Sequence, residues 1–232
     1  MRNPHVLFIS DDGVVCRLLF ILLQEQGIDA TLVTSPEAAL THWHEGCYDL
    51  LVIDVEDVSL SGVEICYSLR AEVISPILLV AHEGDERAIM TAYEAGIDDY
   101  LVKPLGLRLY SQKIIAWLRH ARTVPAHLLR RLELASFVLD AHRRQLQLLH
   151  EDGKVVHLTN LEFRLLHLLM SHEGQILETD FLLDRLWGSL NVDGATALKS
   201  VVYRVRRKIE PIPKKPRFLQ TVAGRGYVFR IR

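Results

Sequence analysis

The sequence predicts an α/β domain built on an open, doubly wound parallel sheet, followed by a smaller α+β domain. In the first half, short unalternating apolar runs exchange with helical patterns five times, and in the second half the apolar spacing changes to short alternating segments. Charge divides at the same place. Residues 1–120 carry 8 Lys and Arg against 18 Asp and Glu, net −10, whereas residues 121–232 carry 19 against 11, net +8, together giving the chain's −2. An acidic half joined to a basic half suggests that only the second meets a polyanion; the plainer alternative is that two solvated surfaces differ.

The length of 232 residues suits two domains, and 49% hydrophobic with 24% charged residues excludes disordered and low-complexity classes. Three cysteines, Cys16, Cys47 and Cys66, without CxxC or CxxH spacing suggest neither a disulfide framework nor a zinc site. No apolar stretch approaches the ~20 residues a membrane span needs. A cytoplasmic protein that does not contact membranes is expected.

Strands are expected at His5–Ile9, Ala30–Val33, Leu50–Ile53, Ile77–Val80 and Tyr100–Val102, whose continuous apolar character suits strands covered on both faces. Helices are expected at Val14–Gln26, Pro36–Glu45, Val63–Glu72, Glu86–Ala95 and Leu107–Arg119, where apolar residues recur at three- and four-residue spacing. Residues 1–120 therefore form the first domain and 121–132 a linker, with Pro125 in a mixed basic composition.

The second domain, 133–232, begins with alternating segments at Phe137–Leu139, Gln145–Leu149 and Val155–Leu158, with Glu151-Asp152-Gly153 as a turn. Thr159 and Glu162 have capping-box spacing and open a helix. Glu178–Leu186 and Ala195–Ile209 make two more helices, and Phe218–Val222 with Tyr227–Ile231 a closing hairpin. Three helices and a hairpin, with basic residues on the last helix, predict a winged helix-turn-helix.

In an open parallel sheet, acids placed after strands one and three converge at the crevice where strand order reverses. Here these are Asp11 and Asp12 after strand one and Asp54 after strand three, with Lys103 at the end of strand five. Carboxylates with a lysine suit Mg²⁺ binding and phosphoryl transfer to a carboxylate nucleophile. Solvated strand-end charge is the plainer reading of the spacing alone. No Gly-rich phosphate loop, nucleophile elbow or HExxH motif occurs, so turnover would rest on Asp11, Asp54 and Lys103 only, and the chain is not expected to be an enzyme.

Ser10-Asp11-Asp12, Tyr48 to Asp54, and Glu94 to Pro104 resemble the receiver domain of OmpR/PhoB-family two-component response regulators in order and spacing. Leu158 to Leu166, Leu186-Trp187-Gly188 and Gly224-Arg225-Gly226-Tyr227 resemble the family's winged-helix domain. The resemblance implies a flavodoxin-like receiver, Asp54 as phosphoacceptor, Asp11 as a Mg²⁺ ligand with Asp12 a further candidate, and Lys103 as the phosphate-contacting lysine. It also implies a transcriptional regulator that meets double-stranded DNA, a sensor histidine kinase and RNA polymerase.

The chain departs from that pattern. Ser10 stands where receivers usually carry an acid, and Ala81 where a Thr or Ser hydroxyl couples the phosphoryl group to the aromatic at Tyr100. Val55-Glu56-Asp57-Val58 replaces the usual apolar-Pro pair and adds negative charge. A pair that joins the family's dimers falls at Ile89 and Leu109, both apolar, while Asp98 and Lys113 match another pair. An apolar pair in place of a salt bridge is neutral or stabilising where the shapes match, which favours a homodimer that persists without phosphate; burial of Ile89 and Leu109 within one receiver is the alternative. A regulator that works without phosphorylation, paired constitutively or switched by a partner, therefore stands beside the phosphoswitch.

On Ala195–Ile209, Leu198, Val201, Val202, Val205 and Ile209 form an apolar stripe, and Lys199, Tyr203, Arg204, Arg206, Arg207 and Lys208 are expected to face outward into a major groove. The resemblance places Arg204 and Arg206 nearest the bases. Lys214, Lys215 and Arg217 suit phosphate contacts, and Arg225 at the hairpin tip suits a narrow minor groove.

Overall fold

A computed structural model of the chain describes residues 2–45, 48–56, 60–82, 86–122, 131–140, 143–188 and 194–231. Cys47, Asp57, Val58 and most of the expected linker lie outside them. The chain divides into two compact units, Met1–Thr123 and Val124–Arg232.

In the first unit the strands β1 (His5–Ile9), β2 (Asp29–Val33), β3 (Leu50–Asp54), β4 (Ile77–Ala81) and β5 (Asp99–Val102) form one sheet in the order β2-β1-β3-β4-β5. All four pairings are parallel. Parallel sheets need cover on both faces, and every residue of β3 and β4 is buried. The helices α1 (Gly13–Gln24), α2 (Pro36–Glu45), α3 (Leu60–Glu72), α4 (Glu86–Ala95) and α5 (Leu107–Arg122) alternate with them. α1 stops short of the expected Gln26 because the chain turns at Gly27, whose φ of 69° is open to glycine without strain. α5 extends to Arg122, into the segment expected as linker.

The second unit opens with a four-stranded antiparallel sheet, β6 (Leu132–Leu134), β7 (Phe137–Asp140), β8 (Gln145–Leu148) and β9 (Lys154–His157), paired in sequence order. β6 falls where the composition suggested the linker's end and the first residues beyond it. The helices α6 (Asn160–Ser171), α7 (Thr179–Trp187) and α8 (Gly194–Ile209) follow, and β11 (Leu219–Val222) and β12 (Gly226–Phe229) close the chain, with β10 (Leu177–Glu178) pairing on β12. Gly226 is required there: a Cβ would sit 2.0 Å from the Leu177 carbonyl oxygen.

The capping box is formed. Thr159 Oγ1 accepts from Glu162 N at 3.4 Å, and Glu162 Oε2 accepts from Thr159 N at 2.9 Å. The stripe on α8, Leu198, Val201, Val202, Val205 and Ile209, is buried, as its spacing predicts.

Candidate functional site

The carboxyl ends of β1 and β3 flank the point where strand order reverses, and Asp54 closes β3 there with only 6% of its surface exposed. Lys103, just beyond β5, ion-pairs with Asp54 Oδ1 and donates to the Val55 carbonyl at 3.1 Å. On the other carboxylate oxygen, the Tyr110 hydroxyl donates to Oδ2 at 3.2 Å. Tyr110 was not singled out from the sequence. Its signal was positional: on α5 it shares an inward face with Ile114 and Trp117, four and seven residues on, and all three are buried.

Of the acids expected to converge at the crevice, the structure brings only Asp54 to Lys103. Asp12 does not turn inward: its Oδ1 caps α1, accepting from Val14 N at 3.1 Å and Val15 N at 3.0 Å. Asp11 is exposed, and the buried Ser10 hydroxyl accepts from Asp12 N at 3.0 Å. Burial, with the Asp54 charge adding to it, keeps the Tyr110 phenol proton on well above the usual range. Burial also pushes the neighbouring Cys16 thiol up. Among the described residues no group of three or more His, Cys, Asp or Glu gathers as a metal site. A carboxylate bonded on both oxygens, beside a neutral serine and a capping aspartate, does not fit a formed Mg²⁺ site, since that ion needs near-octahedral oxygen ligands.

Ala81 ends β4 fully buried, and the ring of Tyr100 is buried with its hydroxyl donating to the His82 carbonyl at 2.8 Å. The assembly face differs from expectation. Asp98 is 2% exposed, accepts from Arg70 Nη2 at 2.6 Å and from Ile77 N at 2.8 Å, and so is committed inside its own unit. Lys113 is likewise buried, where its charge acts on Asp99. Leu109 is 52% exposed and Ile89 half-buried, so the apolar pair is not enclosed within the first unit.

On α8, Arg204 is corrected from a base-facing residue to an internal one. It is 7% exposed, and its Nε lies 3.3 Å from Glu162 Oε1. Lys208 completes the arrangement, with Nζ 2.6 Å from Glu162 Oε2 and 2.8 Å from the His157 carbonyl. Burial alone would raise the Glu162 carboxyl, but the Lys208 and Arg204 charges together with the hydrogen bonds from Lys208 and Thr159 N hold it below the usual range. Arg206 serves the hairpin, donating to the Leu219 carbonyl at 2.9 Å and to Thr221 Oγ1 at 2.8 Å. The physical reason is angular: Arg204 and Lys208 flank the stripe on the α6 side and Arg206 on the hairpin side. What remains exposed is a face of Lys199, Tyr203 and Arg207 at four-residue spacing. Lys214, Lys215, Arg217 and the tip residue Arg225 are exposed as well.

Residues 6–115 match the family model described as response regulator receiver domain, and residues 153–229 the model described as transcriptional regulatory protein, C terminal. The chain is 32% identical over 223 residues to the sensory transduction protein RegX3 of Mycobacterium tuberculosis, covering 96% of this chain and 97% of that one. It is 29% identical over 225 residues to the DNA-binding response regulator MtrA of Mycobacterium leprae, covering 97% of each. Among solved structures, a single-residue mutant of RitR superposes with a TM-score of 0.78 at 19% identity, over 98% of this chain and 99% of that one. At that identity the likeness shows the fold alone.

Proposed function

The chain belongs to the DNA-binding response regulators of two-component systems, transcriptional regulators rather than enzymes, and on that premise we propose that its second unit binds promoter DNA through the exposed face of α8. The observation that carries this is the Lys199, Tyr203 and Arg207 face, which stands clear because Arg204, Arg206 and Lys208 are spent on holding α8 to α6 and the hairpin. An α-helix fits the major groove, where arginine and lysine reach guanine edges and phosphates. Lys215 and Arg225 extend the positive surface to flanking phosphates and the minor groove.

The first unit sets the state of the second. A phosphoryl group passes from a sensor histidine kinase to the Asp54 carboxylate, and Lys103 neutralises the added charge. Receivers of this family typically bind Mg²⁺ at this position; here β1 is followed by the buried, neutral Ser10 in place of an acid. Phosphorylation then favours a homodimer across the face that carries Leu109 and Ile89, and the dimer occupies half-sites about one helical turn apart, ~10–11 base pairs, where it meets RNA polymerase. No helix among the described residues is long and apolar enough to cross a membrane, which suits a regulator working beside DNA in the cytoplasm.

A second reading is favoured by Ala81, which offers no hydroxyl to a phosphoryl oxygen, and by the open apolar Leu109: a dimer that forms without phosphate.

The test is selection of bound duplexes from a random library by the full chain, followed by titration of the winner with the alanine variants of Lys199, Tyr203 and Arg207. Each variant is expected to bind the selected duplex about five- to 150-fold more weakly, the loss of ~1–3 kcal/mol per base contact. Enrichment of no sequence, or unaltered binding by all three variants, overturns the proposal.

A further inference from the structure

We propose that the Tyr110 hydroxyl is an internal restraint on Asp54, holding the carboxylate oxygen that Lys103 leaves open and so standing where a divalent cation has to bind before a phosphoryl group is added. The inference rests on reading Asp54 as the phosphoacceptor. It deepens that reading by naming the residue that sets how readily the site is charged.

Asp54 has two oxygens, and the fold engages both. Oδ1 belongs to Lys103, whose ammonium is fixed a second time by the Val55 carbonyl. Oδ2 receives the Tyr110 hydroxyl at 3.2 Å. Tyr110 is almost wholly buried and its ring is packed on the inner face of α5 beside Ile114 and Trp117, so the hydroxyl has no water to turn to. A cation approaching Oδ2 must break a hydrogen bond to a charged acceptor and leave a buried donor unsatisfied, and each of these is costly.

The surroundings offer that cation little in return. β1 ends on Ser10, whose neutral hydroxyl is taken by Asp12 N, while Asp12 spends its own Oδ1 on the amides of α1. Of the two acids that follow β1, Asp11 is left, and it is exposed. The carboxylate is thus neutralised from within, by a lysine and a tyrosine. Tyr110 is a positioning residue: it touches the nucleophile and no substrate.

The experiment uses the full chain as wild type, Tyr110→Phe, Asp54→Ala and the double variant. Phenylalanine removes one oxygen and keeps the ring, so packing is preserved. Two readouts are taken: Mg²⁺ titration followed by amide chemical shifts, and phosphoryl uptake from acetyl phosphate with Mg²⁺, followed by intact mass. Tyr110→Phe is expected to bind Mg²⁺ about tenfold more tightly than wild type, the factor one hydrogen bond to a charged group is worth, and to gain phosphoryl groups faster by a similar factor. Both gains vanish in the double variant. Equal Mg²⁺ affinity in wild type and Tyr110→Phe overturns the restraint, whatever the uptake. Tighter Mg²⁺ binding without uptake in either protein supports the restraint and overturns the phosphoacceptor reading instead.

Discussion

Arg204 on α8 reaches back to Glu162 in the first turn of α6, Nε to Oε1 at 3.3 Å, with both side chains buried. The same carboxylate closes the capping box with Thr159 and accepts from Lys208. One glutamate therefore starts one helix and docks another, and the basic residue that helical periodicity offers to DNA is part of the frame.

Arg204→Ala is expected to destabilise the second unit by about 3 kcal/mol, because the Glu162 charge stays buried with one partner fewer. Arg207→Ala, on the exposed face, is expected to change stability by less than about 0.5 kcal/mol while weakening DNA binding. Urea unfolding of both variants beside a DNA titration checks the separation; a stable Arg204→Ala with impaired binding would return that arginine to the DNA surface.

The exposed residues of the second unit are expected to divide by what they meet on DNA. Tyr203→Ala should change which duplexes are preferred, whereas Lys215→Ala should weaken all duplexes alike and lower the slope of log affinity against log salt by about 1, as loss of one phosphate contact requires. Affinities measured across a salt series on the selected and a scrambled duplex distinguish the two, and identical behaviour of both variants would refute the division.

Leu109→Glu should weaken self-association about tenfold or more, since it places a charge where an apolar side chain, 52% exposed in the isolated chain, would be covered by a second copy. Sedimentation equilibrium over a concentration series reads this directly. An unchanged association constant would remove α5 from the interface.

Asp99 sets a pH dependence of the first unit. Burial pushes its carboxyl up to about 6 from 3.8, although the Trp117 indole, 3.0 Å from Oδ2, the Lys113 charge and the Tyr100 amide pull it down. The folded unit then holds this proton more tightly than the unfolded chain, so the stabilisation is complete below about 3.8 and is lost as pH rises through 6. Asp99→Asn should make the slope of stability against pH more positive between about pH 4 and 6, by up to about 3 kcal/mol over the window. Parallel stability curves for the two proteins would contradict the assignment.

Much of the architecture was legible in the sequence because burial on both faces writes continuous apolar runs, and because helices write a three- and four-residue period. β6 and β10 were missed, since strands of three and two residues hold no period to read. The crevice was half legible. Asp54 and Lys103 follow from topology, but Asp12 was drawn to the backbone amides of α1, a local competition that spacing does not reveal. Tyr110 lies 56 positions from Asp54, and only the packing of α5 against the sheet brings them together. Asp98 and Arg204 are drawn inward for one shared reason, an opposite charge waiting inside: Arg70 for the first and Glu162 for the second.

Whether the state of Asp54 sets the assembly of the regulator is read by sedimentation velocity of the full chain with and without Mg²⁺ and beryllofluoride, beside Asp54→Ala and Tyr110→Phe. A shift from monomer toward dimer is expected on adding the phosphoryl mimic, larger for Tyr110→Phe and absent from Asp54→Ala. The same dimer fraction in all three proteins, with or without the mimic, would contradict it and leave the first unit a standing dimerisation module.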